Sequence, residues 1–166
     1  IIYRKNSPQA KYLKNATSLK PVAEHKLSMV PLATDDALYS VVKTYNDTHS
    51  PKVDLKPFGD QSTADALGQV ASGKYDVTMY PYAAFREAQN TKDGKKLAVS
   101  KSIYLKSAYL LVHKSPQNKK LTAALNKEID HLYRDGYLEH LTKKYIHENT
   151  FAFPNAKKAY NAEFNK

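Results

Sequence analysis

Two polar segments of this 166-residue sequence carry residue types that could contact a small ligand at the start of a helix. The first contains Ala33, Thr34 and Asp35, where a hydroxyl and unpaired backbone N–H groups could bind a ligand carboxylate. The second contains Ser62, which precedes another predicted helix. Serine and threonine are also common helix N-caps, so Thr34 and Ser62 are equally explained by a structural role. Both interpretations stay open on the sequence alone.

Two tyrosines flank a proline in the segment YDVTMYPYAAF. Tyr80 and Tyr82 could offer hydroxyl groups to a polar ligand or an aromatic face to a cation. They are also explained as ordinary half-buried tyrosines. Asp76, at the start of the same predicted strand, is interpreted as structural. The candidate ligand-binding residues are therefore Ala33, Thr34, Asp35, Ser62, Tyr80 and Tyr82.

No other pattern in the sequence indicates catalysis or a bound metal. The chain has no cysteine, which excludes disulfides, thiolate nucleophiles and zinc–thiolate clusters. Its six histidines form neither an HExxH pattern nor a helical pair at metal-ligand spacing. The glycine of ASGKYD is predicted to end a helix, not to bind phosphate. We expect no catalytic residue, no metal and no cofactor, and a protein that is not an enzyme.

The net charge of +10 comes mainly from lysine, since arginine occurs only at Arg4, Arg86 and Arg134. Readout of nucleic-acid bases and bidentate phosphate binding favour arginine. We therefore expect no nucleic-acid partner. A lysine-coated surface facing an anionic cell wall or membrane explains the charge more simply.

Alternating strands and helices are predicted to position the candidate residues. Strands are predicted at residues 1–5, 26–33, 53–58, 75–80, 97–104 and 109–114. One helix is predicted at 34–47 with Thr34 as its N-cap. Another begins at Ser62, which has capping-box spacing to Asp65, and ends at Gly73. This order is typical of an α/β fold.

The carboxyl-terminal part of the sequence is predicted to be mainly helical. Two apolar stripes contain Leu121, Leu125, Ile129 and Leu132 in one helix and Leu138, Leu141 and Tyr145 in the next. Gly136 is predicted to mark their joint, because glycine destabilises a helix interior by about 1 kcal/mol. Residues 149–166 lack clear periodicity and are interpreted as a docked or loose tail.

Three segments together resemble a known protein family. They are ATDDALYSVVKTYN, DQSTADALGQVASGKYDVTMY and LNKEIDHLYRDGYLEHLTKKY, in that order. The last is the most specific, with Asp135 and Gly136 between two helices. Over residues 1–148, the sequence resembles the extracellular solute-binding proteins of ABC importers for polar amino acids. That group is bacterial solute-binding protein family 3, with the type 2 periplasmic-binding fold.

The resemblance implies an α/β fold: a periplasmic-binding-protein-like lobe with a mainly parallel sheet flanked by helices, plus a carboxyl-terminal helical arm. Residues 1–5 would be the first crossover strand, 6–108 the second lobe and 109–115 the second crossover strand. Residues 116–148 would be the arm that packs on the first lobe, and 149–166 the tail. The first lobe has no counterpart, so we expect a fragment or a truncated member.

The resemblance also implies transport without catalysis. A small polar solute, such as an amino acid, would close two lobes around itself, and the closed form would dock on the membrane permease of an ABC transporter. The turn at Thr34 would bind the solute's carboxylate. Relatives commonly carry an aspartate for the solute's ammonium where this sequence has Pro81. A single lobe is expected to bind amino acids weakly or not at all.

Further expectations concern assembly and location. The apolar stripes of the arm would lack the first lobe, and each large apolar side chain forgoes about 1.5–3 kcal/mol when it is not buried. We therefore expect a homodimer formed through the arm. The resemblance implies an extracellular or cell-surface protein that is lipid-anchored through a missing amino-terminal segment. Two alternatives remain open: a surface adhesin or basic interaction module, and a dehydratase-type enzyme on the same fold.

Overall fold

The computed structural model describes residues 1–59, 61–105, 109–153 and 156–164, of which residues 163 and 164 are described by their backbone alone. The chain divides into two compact units, Ile1–Tyr104 and Leu105–Lys166. The first unit contains strands and helices, and the described part of the second contains helices.

Short strands organise the first unit. They are β1 (Ile2–Arg4), β2 (Leu32–Ala33), β3 (Pro57–Phe58), β4 (Val77–Thr78) and β5 (Leu97–Val99). β1 lies between β4 and β5 and runs antiparallel to both. β2 and β3 are parallel, and a parallel bridge between Met29 and Val77 joins the segment before β2 to β4. Among the described strands, β2 to β5 therefore share one direction and β1 runs against them.

Helices separate these strands along the chain. They are α1 (Ala10–Leu13), α2 (Lys20–Glu24), α3 (Ala37–Thr48), α4 (Thr63–Ser72) and α5 (Tyr82–Ala88). A 3₁₀ turn at Gly94–Lys96 leads into β5. α3 follows β2, α4 follows β3 and α5 follows β4, which is the alternation that the sequence predicts.

Apolar side chains pack on both faces of the strands. Neighbouring residues of β1 point to opposite faces, as a strand requires. Ile2 packs in a cluster with Val70 of α4 and Phe85 of α5. Tyr3 packs in a second cluster, which includes Val42 of α3. Helices therefore cover both faces, and the predicted α/β fold with helices flanking the strands is confirmed. The strand pairing agrees only in part with a mainly parallel sheet, because β2 and β3 are parallel but both pairings of β1 are antiparallel.

The ends of α4 match the sequence prediction. Ser62 is the N-cap, and its Oγ accepts a hydrogen bond from the N–H of Asp65 at 3.0 Å. Gly73 follows the helix in the left-handed conformation, with φ of +85°. The three-residue spacing from Ser62 to the acid Asp65 and the glycine at the end of the helix are both local signals. The sequence is therefore sufficient to locate this helix.

The start of α3 differs from the prediction, because Thr34 is not its N-cap. Residues 33–36 form a turn first, in which the N–H of Asp36 donates to the carbonyl of Ala33 at 3.0 Å. The helix then begins at Ala37 with Asp36 as its N-cap. Oδ1 of Asp36 accepts a hydrogen bond from the N–H of Leu38 at 2.8 Å. The turn therefore moves the cap two residues along the chain.

The second unit is built from helices. They are α6 (Asn118–Arg134), α7 (Tyr137–Ile146) and α8 (Ala156–Phe164), with a 3₁₀ turn at Thr150–Ala152 between α7 and α8. Gly136, with φ of +81°, lies between α6 and α7 and confirms the predicted joint. Oδ1 of Asp135 accepts a hydrogen bond from the N–H of Tyr137 at 2.9 Å. Both α6 and α7 are described in full, and neither contains a buried residue.

Two further segments of the second unit can be compared with the sequence predictions. Residues 109–115, all of them described, form no strand, although the sequence predicts one; Leu111 is 96% exposed. An apolar segment becomes a strand only when a neighbour supplies hydrogen bonds, and none of the described strands does so. The described part of the tail is docked, because the ring of Tyr160 stacks on Tyr133 with centroids 3.5 Å apart.

Candidate functional site

The carboxyl ends of β2, β3 and β4 lie toward one edge of the strands, because β2 pairs in parallel with β3 and Met29, just before β2, forms a parallel bridge to Val77 of β4. α3, α4 and α5 begin at this edge. In open α/β sheets, ligands bind outside the carboxyl ends of the strands. We call this region the carboxyl edge. It contains the segments that carry Ala33, Thr34, Asp35, Ser62, Tyr80 and Tyr82.

The start of α3 is capped by its own chain. Asp36 accepts the hydrogen bond from the Leu38 N–H, so a protein carboxylate already stands where a helix N-terminus attracts an anion. Ala33 lies in β2 opposite Phe58 of β3. Thr34 and Asp35 are exposed in the turn that follows. Thr34 is therefore accessible, but the anion-binding position of this helix is filled by Asp36.

The start of α4 is also fixed internally. Ser62 Oγ accepts from the Asp65 N–H and donates to Asp65 Oδ2 at 2.7 Å. The side-chain amide of Gln61 donates to the carbonyl of Pro31 at 2.7 Å and accepts from the amide of Gln69 at 2.9 Å. These bonds hold the segment before α4 against the segment that leads into β2. In this arrangement Ser62 serves as a cap, and its role as a ligand contact stays a prediction.

Tyr80 connects the two helix starts. Burial raises the pKa of the Tyr80 phenol, the charge of Asp36 raises this pKa further, and a hydrogen bond with Thr63 acts in the opposite direction. Asp36 belongs to the start of α3 and Thr63 is the first residue of α4. Asp36, Thr63 and Tyr80 come from three separate segments, and the influence of the first two on the Tyr80 phenol indicates that they lie near it; we call these residues the edge triad.

The predicted set of ligand-binding residues does not include Asp36 and Thr63. Both lie next to predicted residues, so their positions near the edge follow from the capping signals at Thr34 and Ser62. Their influence on Tyr80 has no local sequence signal. It depends on the pairing of β2 with β3 and of Met29 with β4, which only the fold supplies.

Tyr82 and Pro81 begin α5. Pro81 occupies the N-cap position, and Tyr82 is the first helical residue. The ring of Tyr82 lies 6.3 Å from that of Phe85, and both pack with the cluster around α4 and α5. This packing favours the structural interpretation of Tyr82. Tyr80 packs against the same cluster, and its phenol is in addition influenced by Thr63 and Asp36 at the two helix starts.

Asp76 has the structural role that the sequence indicates. Its Oδ2 accepts hydrogen bonds from the N–H and the Oγ of Ser28, at 2.9 and 2.7 Å. The N–H of Asp76 in turn donates to the Ser28 carbonyl at 3.0 Å. These bonds join the segment before β4 to the segment before β2, at the end opposite the carboxyl edge. Asp76 thereby sets the register that places Tyr80.

The charge at the carboxyl edge has the opposite sign to that of the chain as a whole. Asp35, Asp36 and Asp65 lie at the starts of α3 and α4, whereas the chain carries a net charge of +10. A ligand group close to Asp36 is therefore favoured if it is a cation or a hydrogen-bond donor, and a carboxylate there is opposed.

Neither a metal centre nor a membrane span is evident in the part of the chain that the structure describes. There, no group of three or more metal-ligating side chains converges. Among the described helices, none combines the length and apolar character needed to cross a bilayer. What the edge triad offers is hydroxyl groups and a carboxylate, which suit non-covalent binding of a polar molecule.

Comparison with known proteins identifies the fold. No protein-family model and no curated protein matches the chain. Among solved structures, the chain is similar to a structure from a study of glutathione import in Gram-positive bacteria via GshT and the cystine ABC importer TcyBC of Streptococcus mutans. That similarity has 20% identity and a TM-score of 0.56, over 94% of this chain and 60% of the other.

Two further solved structures are similar. One is the probable amino-acid ABC transporter extracellular-binding protein ytmK from Bacillus subtilis, with 18% identity and a TM-score of 0.63, over 87% of this chain and 57% of the other. The other is the L-cystine solute receptor of Neisseria gonorrhoeae in its unliganded open conformation. It shows 16% identity and a TM-score of 0.52, over 89% of this chain and 55% of the receptor.

These similarities define the class of fold. The chain has the periplasmic-binding-protein-like α/β fold that the sequence predicts, and a helical second unit follows the α/β unit. It spans between 55% and 60% of the length of each of these solved chains. At identities of 16% to 20%, the comparison establishes the fold.

Proposed function

We propose that this chain is the solute-binding component of an ABC importer and that the carboxyl edge binds a small polar solute of the amino-acid class. Two features support the proposal. The similar solved structures concern importers or receptors of cystine, glutathione or amino acids. The carboxyl edge brings the edge triad together where open α/β sheets bind ligands.

The edge triad is the observation that carries this proposal, and it refines the expected orientation of the solute. Asp36 already caps α3, so a solute carboxylate at the Thr34 turn would meet another carboxylate. We propose that the ammonium of the solute faces Asp36, with Tyr80 and Thr63 offering hydroxyl groups beside it. Asp36 would then supply the countercharge that Pro81 cannot.

The proposal also concerns the rest of the binding site. The chain spans 55% to 60% of the similar structures, which supports the view that it supplies the second lobe and a complementary lobe completes the cleft. Solute bound between the lobes would favour a closed form that docks on the membrane permease. We propose an extracellular or cell-surface location, with attachment to the membrane by a lipid anchor.

The helical arm supports a further part of the proposal. α6 and α7 contain no buried residue, and Leu121 and Tyr137 are both 49% exposed. Apolar side chains at such positions gain about 1.5–3 kcal/mol each when they are fully buried. We propose that two copies of this chain pair through these helices.

A titration followed by amide NMR tests the binding proposal on this chain. L-Lysine, L-cysteine, ethylammonium and acetate are added in turn, up to tens of millimolar. The amino acids and ethylammonium are expected to shift the amides of residues 34–36, 62–63 and 80 with millimolar affinity. Acetate is expected to shift them least. Shifts confined to the second unit, or no shifts at all, would contradict solute binding at the carboxyl edge.

Two asparagine variants make the titration specific. Asp36→Asn keeps the capping oxygen but removes the charge, so binding of ethylammonium should weaken about tenfold. Asp54→Asn is the matched control, because Asp54 is exposed and pairs with Lys56 before β3, away from the carboxyl ends of the strands. Equal loss in both variants would show that bulk charge, and not Asp36, attracts the cation.

A further inference from the structure

Cationic side chains lie together at the edge of the first unit opposite the carboxyl edge, where β1 ends and β4 and β5 begin. We call this region the amino edge. The N–H of Lys5 donates to the carbonyl of Lys96 at 2.9 Å, and Nζ of Lys5 donates to the carbonyl of Lys95 at the same distance. The guanidinium of Arg4 lies against the end of α4, which Lys74 follows. Segments that are distant in the sequence thus bring their cations to one edge.

Some of these cations are explained by the fold, and the others are not. Lys96 pairs with Asp93 at 3.0 Å, and Arg4 faces the carboxyl end of α4, where a cation is favourable. Asp76 accepts two hydrogen bonds from Ser28. The cations of this edge that are exposed and form no ion pair with a described residue are Lys5, Lys74 and Lys95. The amino edge therefore presents unpaired positive charge to its surroundings.

The two edges of the first unit carry opposite charges. Asp35, Asp36 and Asp65 lie at the carboxyl edge, and the unpaired lysines lie at the amino edge. An extended anionic surface attracts the amino edge and repels the carboxyl edge. The charge of the first unit is therefore suited to orient it on such a surface, which an even coat of lysine would not do.

The side chains of the amino edge fit an anionic surface better than a protein or a nucleic acid. Residues 4–5, 73–76 and 93–97 are all described and include no exposed large apolar side chain, since Tyr75 is half-buried. Protein interfaces depend on apolar and aromatic anchors, and single-stranded nucleic acids stack on exposed aromatic rings. Lysine is a compact charge on a flexible stem, and an anionic bilayer attracts each lysine that comes close to it.

We propose that the amino edge docks on an anionic lipid bilayer, with Lys5, Lys74 and Lys95 contacting the phosphates of the lipid headgroups. The carboxyl edge then faces away from the bilayer. This contact is separate from the proposed lipid anchor, and it does not depend on solute binding at the carboxyl edge. Loss of either property therefore leaves the other one testable.

Sedimentation of the full chain with lipid vesicles tests this inference. The vesicles contain phosphatidylcholine with about one-third phosphatidylglycerol, at low salt. Lys5→Gln, Lys74→Gln and Lys95→Gln are combined in one variant. Its affinity for these vesicles is expected to fall about 100-fold, because each lysine near an anionic bilayer contributes about fivefold.

A second triple variant is the matched control, because it removes the same amount of charge from α6. It combines Lys119→Gln, Lys120→Gln and Lys127→Gln, at exposed positions where glutamine is a good helix former. Its affinity should stay within about threefold of that of the unchanged chain. Equal losses in the two triple variants would overturn the proposal, because bulk charge would then explain the binding.

Other outcomes with the unchanged chain would also overturn the proposal. Equal binding to vesicles of phosphatidylcholine alone would show that the anionic headgroup is not recognised. Tighter binding to soluble polyphosphate than to vesicles, at equal phosphate concentration, would assign the amino edge to a soluble polyanion.

Lysine acetylation read by mass spectrometry tests the contact without any variant. Anionic vesicles are expected to slow the acetylation of Lys5, Lys74 and Lys95 in the unchanged chain. The acetylation of Lys119, Lys120 and Lys127 should stay the same. The reverse pattern would place the bilayer against α6 and refute docking through the amino edge.

Discussion

The guanidinium of Arg4 lies directly against Gly73, in the space that a Cβ at residue 73 would need. Arg4 ends β1 and Gly73 is the C-cap of α4, so the contact joins the antiparallel strand to the end of a helix. A cation at the carboxyl end of a helix is favourable, because the last carbonyl groups there carry partial negative charge. This pair therefore stabilises the attachment of α4 to β1.

Gly73→Ala is expected to lower the unfolding free energy of the first unit by about 1–2 kcal/mol. The φ of +85° is strained for any residue with a Cβ, and the new Cβ would also displace the Arg4 guanidinium. Urea denaturation followed by circular dichroism measures the change.

Variants at two other glycines distinguish the two causes of this lower unfolding free energy, which are backbone strain and displacement of Arg4. At Gly136, φ is +81° but an added Cβ meets no described atom within 4 Å, so Gly136→Ala reports conformational strain alone. Gly59 has neither the positive φ nor a close described neighbour, and Gly59→Ala should stay within about 0.5 kcal/mol of the unchanged chain. A change at Gly73 no larger than that at Gly136 would show that displacement of Arg4 contributes nothing, and a change as small as that at Gly59 would refute the strain as well.

Gly94→Ala is expected to destabilise the first unit by about 1–3 kcal/mol. An added Cβ would clash with the carbonyl oxygen of Ala88, which belongs to the backbone and cannot move aside as a side chain can. Gly68→Ala is the comparison within a helix. Its Cβ would lie 3.6 Å from Asp93 Oδ2, an ordinary contact, so higher helix propensity should stabilise α4 by about 0.5–1 kcal/mol. Thermal unfolding of both variants checks the opposite signs.

The pKa of Tyr80 should respond in opposite directions to its two polar neighbours. Asp36→Asn removes a negative charge that raises this pKa, so the pKa should fall. Thr63→Val removes a hydrogen bond that lowers it, so the pKa should rise. NMR titration of tyrosine ring carbons resolves Tyr80 among the 13 tyrosines. Shifts of the same sign in both variants would contradict the geometry of the edge triad.

Docking of α8 should weaken at alkaline pH. The pKa of Tyr160 rises from an ordinary 10.0 to about 12 in the folded chain, so the unfolded or released form loses its proton first as pH rises. The stabilisation from Tyr160 is therefore complete below about pH 10 and is lost between about pH 10 and 12. Near-ultraviolet circular dichroism of Tyr160→Phe, subtracted from that of the unchanged chain, isolates this step. A pH-independent difference would show that the hydroxyl is not held by α6.

The sequence is sufficient for elements whose signals are local. Ser62, Asp65 and Gly73 define both ends of α4 within a dozen residues, and the structure has the helix between them. Gly136 separates α6 from α7 for the same reason, since only a few neighbouring residues decide where a helix can continue.

Features that depend on distant residues cannot be predicted from local sequence signals. Thr34 and Asp36 are both good caps, and the turn of residues 33–36, formed as the chain leaves β2, decides between them. α8 lacks a clear apolar period, and its contact with α6 comes from a Tyr160 ring that meets Tyr133 across the fold of the second unit. The edge triad likewise depends on two distant pairings, of β2 with β3 and of Met29 with Val77 of β4.

The position of β1 between β4 and β5 has a consequence for how the molecule forms. Ile2 pairs with Thr78 on one side and with Val99 on the other. Both neighbours of β1 are therefore distant from it in the sequence. Pairing between such distant segments slows folding, because the chain loses the entropy of loop closure before the new contacts stabilise it. During synthesis, β1 can pair with β4 once residue 78 is available, and the first unit completes this sheet only after residue 99 has been added.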